Sequence, residues 1–296
     1  MKPKAHDAPG VKFLKPITMK NVALVLILVF AANASAQNLK VMTYNIRLDV
    51  AVDGDNDWNH RKDFFSSQIQ FYAPDIFGIQ EALPNQVTDL ENNLRNYDHV
   101  GIGRDGEGKG EASAIFYDNR RFTVTNARTF WLSETPDRVS KGWDASYIRI
   151  CTYALFKDKK TRRAFWVFNT HLDNNGVVAR NKGVTLILAT IRSANTKNYP
   201  VVFAGDFNSE PDSDLLINLR KVMTDSREVS EAKPFGPSGS FNGFKFNEQV
   251  TRLIDYIFIS DPSRMKVKKY AVLSDSNNLK YPSDHLPVYV EMVLNK

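Results

Sequence analysis

The sequence predicts an α/β fold with mixed sheets, and three observations predict it. Short apolar runs rich in β-branched and aromatic residues recur along the chain, each bounded by turn residues, as buried strands are. Between some of these runs lie segments with apolar residues at helical spacing. Elsewhere strand follows strand directly, which argues for mixed sheets and against a parallel barrel.

In chain order, residues 39–46 are the first predicted strand, followed by a helical pattern over 58–72 and a strand at 76–79. Residues 87–94 read as a helix, with Leu90 and Leu94 four apart on one face. Strands come next at 114–116, 148–156 and 164–169. A helix over 176–193 carries Val177, Val184, Leu186, Ile187 and Ile191, and precedes a strand at 201–204. A helix at 215–223 and strands at 254–259 and 288–293 complete the set. No repeat or low-complexity linker interrupts residues 37–296, which read as one domain. The glycine-rich stretch 101–110 (GIGRDGEGKG) lacks the spacing of a P-loop or dinucleotide fingerprint. It reads as a surface loop able to edge a pocket.

The first 36 residues read as a leader. After Met19, Lys20 gives a positive start, residues 22–32 are unbrokenly apolar, and Ala34-Ser35-Ala36 forms a small-residue cleavage site. A secretory signal peptide is expected, with export to the periplasm or medium and no stable membrane span after cleavage. Residues 1–18 are unusual ahead of such a signal and point to Met19 as the true start. Removing the leader takes five lysines and one aspartate, so the chain's 39 basic and 33 acidic residues fall to 34 and 32, a net charge of +2. The basic pI belongs largely to the leader and does not advertise a nucleic-acid partner. Cys151 is the only cysteine, which excludes an intramolecular disulfide and a cysteine-based zinc site; it reads as a buried thiol.

Chemistry-bearing residues cluster where the apolar runs end. Asn45 closes the first strand and Glu81 the second, His171 follows residues 166–170 with Asp173 just beyond, and Asp206 and Asn208 follow 201–205. Asp255 opens a strand, and Asp284-His285 precedes the last one. Each has an ordinary explanation alone. Asn45 and Asp206 can be turn residues, Glu81 a first-turn helix acid, His171 a core histidine, and Asp255 the partner of Arg252. Six strand-end segments together supply hard oxygen ligands, imidazoles and neutral donors, which is what phosphate-ester hydrolysis needs. Glu81 and Asp284 suit Mg²⁺ or Mn²⁺. His285 beside a carboxylate is a poised base, and Asn45, Asn208 and His171 can hydrogen-bond phosphoryl oxygens. No G-x-S-x-G elbow and no H-E-x-x-H occurs, and a two-carboxylate glycosidase would leave the histidines and asparagines unexplained.

These residues lie in segments that resemble the endonuclease/exonuclease/phosphatase superfamily: TYNIR, IQEAL, NTHLD, AGDFNSEP, LIDYIF and PSDHLPV, in the family's order from residue 43 to 288. The resemblance implies a four-layered sandwich, two mixed sheets face to face with helices on both outer faces. It implies Glu81 as the principal metal ligand with Asn45 and Asp284 beside it, and His285 as the base oriented by Asp255. It also implies Asp206 and Asn208 against nucleophile and phosphate, and His171 as a phosphate-contacting donor or acid. The FWLSETPD and KGWDA segments resemble secreted bacterial members, and Glu111, Arg149, Arg47 and Asp173 are further pocket candidates. Arg47 departs from abasic-site endonucleases, which carry an acid there, and Asn174 stands where a second histidine is the pattern. The expected function is an exported, metal-dependent phosphoesterase acting on a small phosphorylated metabolite or lipid head group. An exported nuclease is the alternative, and a catalytically silent binding module on the same fold is a third reading. The sequence does not name the oligomeric state.

Overall fold

The computed structural model describes Met1 and residues 37–295. The signal-peptide and start-site expectations fall on residues 1–36, which apart from Met1 lie outside that range. Among the described residues, no helix is long and apolar enough to cross a membrane.

Twelve strands and four α-helices are described: β1 (Gln37–Asn45), α1 (Trp58–Tyr72), β2 (Ile76–Gln80), α2 (Pro84–Asn93), β3 (Tyr97–Val100), β4 (Ile115–Asp118), β5 (Phe122–Trp131), β6 (Ile150–Asp158), β7 (Ala164–His171), α3 (Val177–Ala194), β8 (Val201–Asp206), α4 (Asp214–Leu219), β9 (Thr224–Asp225), β10 (Asp255–Ile259), β11 (Met265–Val272) and β12 (Val288–Leu294). They form two six-stranded sheets, ordered β11-β12-β1-β2-β4-β3 and β5-β6-β7-β8-β10-β9. Each sheet is antiparallel except for one central parallel pair, β1 with β2 and β7 with β8. Each parallel pair is joined by a helix, as a crossover between parallel strands requires.

Strand alternation builds four layers. Leu39 and Val41 of β1 point between the sheets, where they meet Phe156, Val167, Val202 and Ile257. Met42 and Tyr44 point the other way, onto Trp58, Phe65 and Ile69 of α1. On the far side, Phe168, Phe203 and Phe258 pack under Val184 and Ile187 of α3 and Leu216 of α4. The result is the predicted sandwich of two mixed sheets with helices outside. Inside it, Asn169 donates to the Ile79 and Ala114 carbonyls, both at 2.9 Å, and accepts from Gln80 at 2.7 Å, bridging the sheets. Gly78 makes this bridge fit, because a Cβ there would lie 2.5 Å from Asn169 Oδ1.

The sequence reading missed β3, β5, β9 and β11. β3 and β5 are edge strands with polar interiors, and β9 has two residues. In β11 an irregularity between Val267 and Lys269 breaks the alternation, so 266–269 reads as a basic patch. Lys266 and Lys268 in fact share Glu231, at 2.5 and 2.6 Å. The last predicted helix also stops early, at Leu219. Asp57 caps α1, accepting from the His60 amide at 3.2 Å.

Candidate active site

Sheet register lines up the central residues. His171 of β7 pairs with Asp206 of β8, and Asp206 pairs with Asp255 of β10, so three predicted residues form one row at the sheet's end. Gly205 permits this, since a Cβ there would collide with the Thr170 carbonyl. On the opposing sheet Asn45 pairs with Gln80, immediately before Glu81. Arg47, Glu81 and Asn208 all hold left-handed backbone conformations, with φ of 57°, 65° and 46°. For residues other than glycine or asparagine this costs about 1–2 kcal/mol each, strain of the kind that gathers at working sites. Glu81 therefore lies ahead of α2, outside its first turn.

Asp206 Oδ2 is the hub. Asn45 Nδ2 donates to it at 3.1 Å, His171 Nε2 lies 3.5 Å away and His285 Nε2 3.8 Å away. Burial and the Asp255 charge raise the Asp206 carboxyl above the ordinary carboxylate range, against the pull of His285. His285 Nδ1 donates to Asp255 Oδ2 at 2.9 Å, and that oxygen also accepts from Ser240 Oγ at 2.6 Å. Burial alone would depress His285, but the charge and hydrogen bond of Asp255, with Asp206 and Asp284, hold it up to about 10. His171 is the opposite case: burial, then Arg149, His285 and Arg104, push it well below its ordinary value. Asn208 Nδ2 donates to the Leu172 carbonyl at 3.0 Å, which fixes its amide orientation, and so donates to His171 Nε2 at 3.1 Å as well. His171 is thus a neutral acceptor, and the expectation that it donates to phosphate does not fit this arrangement.

Glu81 and Asp284 both line the cleft and offer hard oxygens, the donor type a divalent cation takes. Asp284 is pushed up by burial and by the neighbouring Glu81 charge, while His285, Arg47 and Arg61 oppose this. A cation between two such carboxylates relieves that repulsion, so the donor set fits Mg²⁺ or Mn²⁺. Asn45 does not join it as expected. Its Oδ1 accepts from the Arg47 amide at 3.0 Å, while its Nδ2 faces Glu81 Oε1 at 3.0 Å as well as Asp206. It is a donor bridging two carboxylates. Asp206, Asp255 and His285 also bring ligand-type atoms within 4.8 Å of one another, and within this group His285 Nδ1 and Asp255 Oδ2 are committed to each other.

These residues open into a cleft of about 650 Å³. Arg47, Glu111 and Arg149 line it as predicted. Arg47 is clamped by Asp53 through bonds of 2.8 and 2.9 Å and lies 4.0 Å from Glu81. Asp173 does not line it. Its carboxylate accepts four backbone N–H groups, of Ser146, Tyr147, Asn175 and Gly176, at 2.7–3.1 Å. Burial works against that charge, yet these bonds hold it below the usual carboxylate range. Asp173 thus pins the segment before β6 and the start of α3.

Sequence reasoning missed Arg104, Tyr147, Phe241 and Arg61. Arg104 sits in the glycine-rich stretch and pairs with Glu111 at 2.7 Å. Phe241, from an aromatic segment that reads as an ordinary loop, sets its ring against His285 at 5.1 Å. Arg61 is buried in α1 and donates to the carbonyls of Ile46, Arg47, Asn56 and Pro282, tying together the loops that carry Arg47 and Asp284. The W-x-x-R spacing of Trp58 and Arg61, whose guanidinium lies over the indole at 5.4 Å, was its only sequence signal.

The sequence itself decides the family: residues 42–285 match the model of the endonuclease/exonuclease/phosphatase family. The chain belongs to that family. Its members are hydrolases that act on phosphate esters. Among solved structures, it is 38% identical to a mannosyl-6-phosphatase of Bacteroides thetaiotaomicron, with a TM-score of 0.82 and coverage of 86% of this chain and 100% of that one. An endonuclease/exonuclease/phosphatase family protein of the same organism is 36% identical, with a TM-score of 0.84 and coverage of 88% and 100%. A probable RNA exonuclease of Saccharomyces cerevisiae is 23% identical over 62% of this chain, which spans only 40% of that relative.

Proposed function

We propose that the chain is an exported, divalent-metal-dependent phosphatase that hydrolyses the phosphomonoester of a small metabolite by direct attack of water. The observation that carries this reading is Asp206 Oδ2, buried at the meeting point of Asn45, His171 and His285 in the cleft that Glu81 and Asp284 also line. When bound by Glu81 and Asp284, Mg²⁺ or Mn²⁺ supplies positive charge to the phosphoryl oxygens.

The chain's own residues do the proton work. Asp206 Oδ2 takes the proton of the attacking water, its affinity raised by burial and by Asp255. Asn45 Nδ2 and the Asn208 amide, which donates to Oδ1 at 2.8 Å, fix the carboxylate plane. His285, held cationic by Asp255, turns Nε2 toward Asp206 and the cleft, where it donates to an oxygen gaining charge. This keeps Asp206 against the nucleophile, as expected, and moves to it the base's role expected of His285. Neutral His171 holds Asn208 in place.

The Bacteroides mannosyl-6-phosphatase supports a small phosphomonoester. Two basic stretches are ion-paired, Arg120 with Asp118 at 2.7 Å and Arg121 with Asp158 at 2.9 Å in one, and Lys266 and Lys268 with Glu231 in the other, which weakens them as a nucleic-acid footprint. The leader pattern supports export.

The test is phosphate release by residues 37–296 from a phosphomonoester panel, beside single- and double-stranded nucleic acids. Exhaustive chelation should cut monoester turnover about a thousandfold, the scale of several kcal/mol, and Mg²⁺ or Mn²⁺ should restore it. Cleavage confined to nucleic acid, or turnover indifferent to chelation, contradicts the reading.

A further inference from the structure

The cleft has a second set of polar residues that the proton chemistry does not use. Arg104 and Glu111 come from the two sides of a tight hairpin, where the Arg104 amide donates to the Glu111 carbonyl at 2.9 Å and their side chains pair at 2.7 Å. The hairpin closes only with glycine: a Cβ on Gly103 would collide with the Lys109 carbonyl, and one on Gly110 with Asp105. Trp131 Nε1 donates to the Arg104 carbonyl at 2.7 Å and ties the hairpin to the end of β5. Arg149 stands beside this pair. Its Nη2 is 3.5 Å from Asn174 Oδ1, and its buried Nε has no hydrogen-bond partner among the described residues, the Asp173 carboxylate lying 3.6 Å away. Tyr147, half exposed, lies against both guanidinium groups, at 5.4 Å from Arg104 and 5.6 Å from Arg149.

We propose that Arg104, Glu111, Arg149 and Tyr147 form the leaving-group subsite and select the phosphate ester of a neutral polyhydroxylated alcohol. This rests on the phosphomonoesterase reading above. Three features fix the class. The charges are balanced, two guanidinium groups against Glu111 and Asp173, so the wall does not call for a second anion on the substrate. The Glu111 carboxylate lines the cleft beside guanidinium groups and the Asn174 amide, and a hydroxyl, at once donor and acceptor, satisfies both kinds. Tyr147 stays half exposed despite both guanidinium contacts, which leaves apolar surface for the C–H groups of a polyol. The other ring in the cleft, Phe241, is engaged by His285 at its edge and by the Arg252 guanidinium at 5.3 Å.

The experiment measures kcat/KM for a hexose 6-phosphate, an aryl phosphate without hydroxyls and a nucleoside monophosphate. It compares the wild-type chain with Arg104→Ala and Glu111→Gln, each checked by melting. The wild type should prefer the hexose phosphate to both others. In each variant the hexose-to-aryl ratio should fall at least about tenfold, the scale of a lost charge-assisted hydrogen bond. If Arg104→Ala does not fold, the isosteric Glu111→Gln carries the test. A ratio unchanged within twofold, or a wild type that favours the nucleotide, overturns the subsite while leaving the phosphatase reading intact. Absence of turnover on every monoester sinks that reading and this one with it.

Discussion

The catalytic floor of the cleft hangs on strand ends, whereas the adjoining wall hangs on loops. Asn45, His171, Asp206 and Asp255 are at most 6% exposed and sit in the register of two sheets, so backbone hydrogen bonding fixes their spacing. Arg104 and Glu111 come from a glycine hairpin, and Tyr147 is 50% exposed. Proton transfer fails with small displacements, so it is placed on the most rigid part of the molecule. Recognition of a leaving group tolerates loop placement, and loops can change without disturbing the floor.

Substitutions can break that contrast. The largest effect belongs to the floor: Asp206→Asn should lower turnover by about two to four orders of magnitude, with melting shifted by only a few degrees. His285→Gln should fall in the same range. The effects on the wall are smaller and depend on substrate, as set out above.

pH should separate the two regions again. His285 is held up to about 10 against an ordinary value of 6.5, so between those values the folded chain binds a proton that the unfolded chain has lost. The stability from this pair is complete below about pH 6.5 and declines as pH rises toward 10. Raised Asp206 acts in the same direction at lower pH. Melting of the chelated protein should therefore fall by several degrees between pH 7 and 9.5, and a flat or rising profile counts against the His285–Asp255 bond. The smallest effect on activity is expected inside the sandwich. Gly78→Ala pushes a methyl onto Asn169 and should cost about 1–3 kcal/mol of stability, with kcat at 20 °C within about twofold of wild type.

The same contrast explains what could be read from the sequence. A polar residue at either end of an apolar run stands out, so Asn45, Glu81, His171, Asp206, Asp255 and His285 were visible, and the structure gathers them. Orientation was not visible: Asn45 turns its nitrogen to the carboxylates because the Arg47 amide claims its oxygen. Asp173 and Asp206 are both acids at the carboxyl end of a strand. Only folding shows that one is consumed by four backbone amides and the other faces the cleft. Helix 58–72 was legible to its ends through its apolar spacing, whereas the bulge in β11 and the polar interior of β5 hid those strands. Arg104 was hidden because its neighbours, all glycine and charge, look like a solvated loop.

The most direct test is the pH dependence of kcat/KM on a simple phosphomonoester at saturating Mn²⁺, for wild type and Asp206→Asn in parallel. If Asp206 takes the proton from water, the wild type loses activity on the acid side as that carboxyl is protonated. The variant should lose both that limb and at least about a hundredfold in rate. A variant within threefold of wild type, with the acid limb unchanged, would show that the proton goes elsewhere.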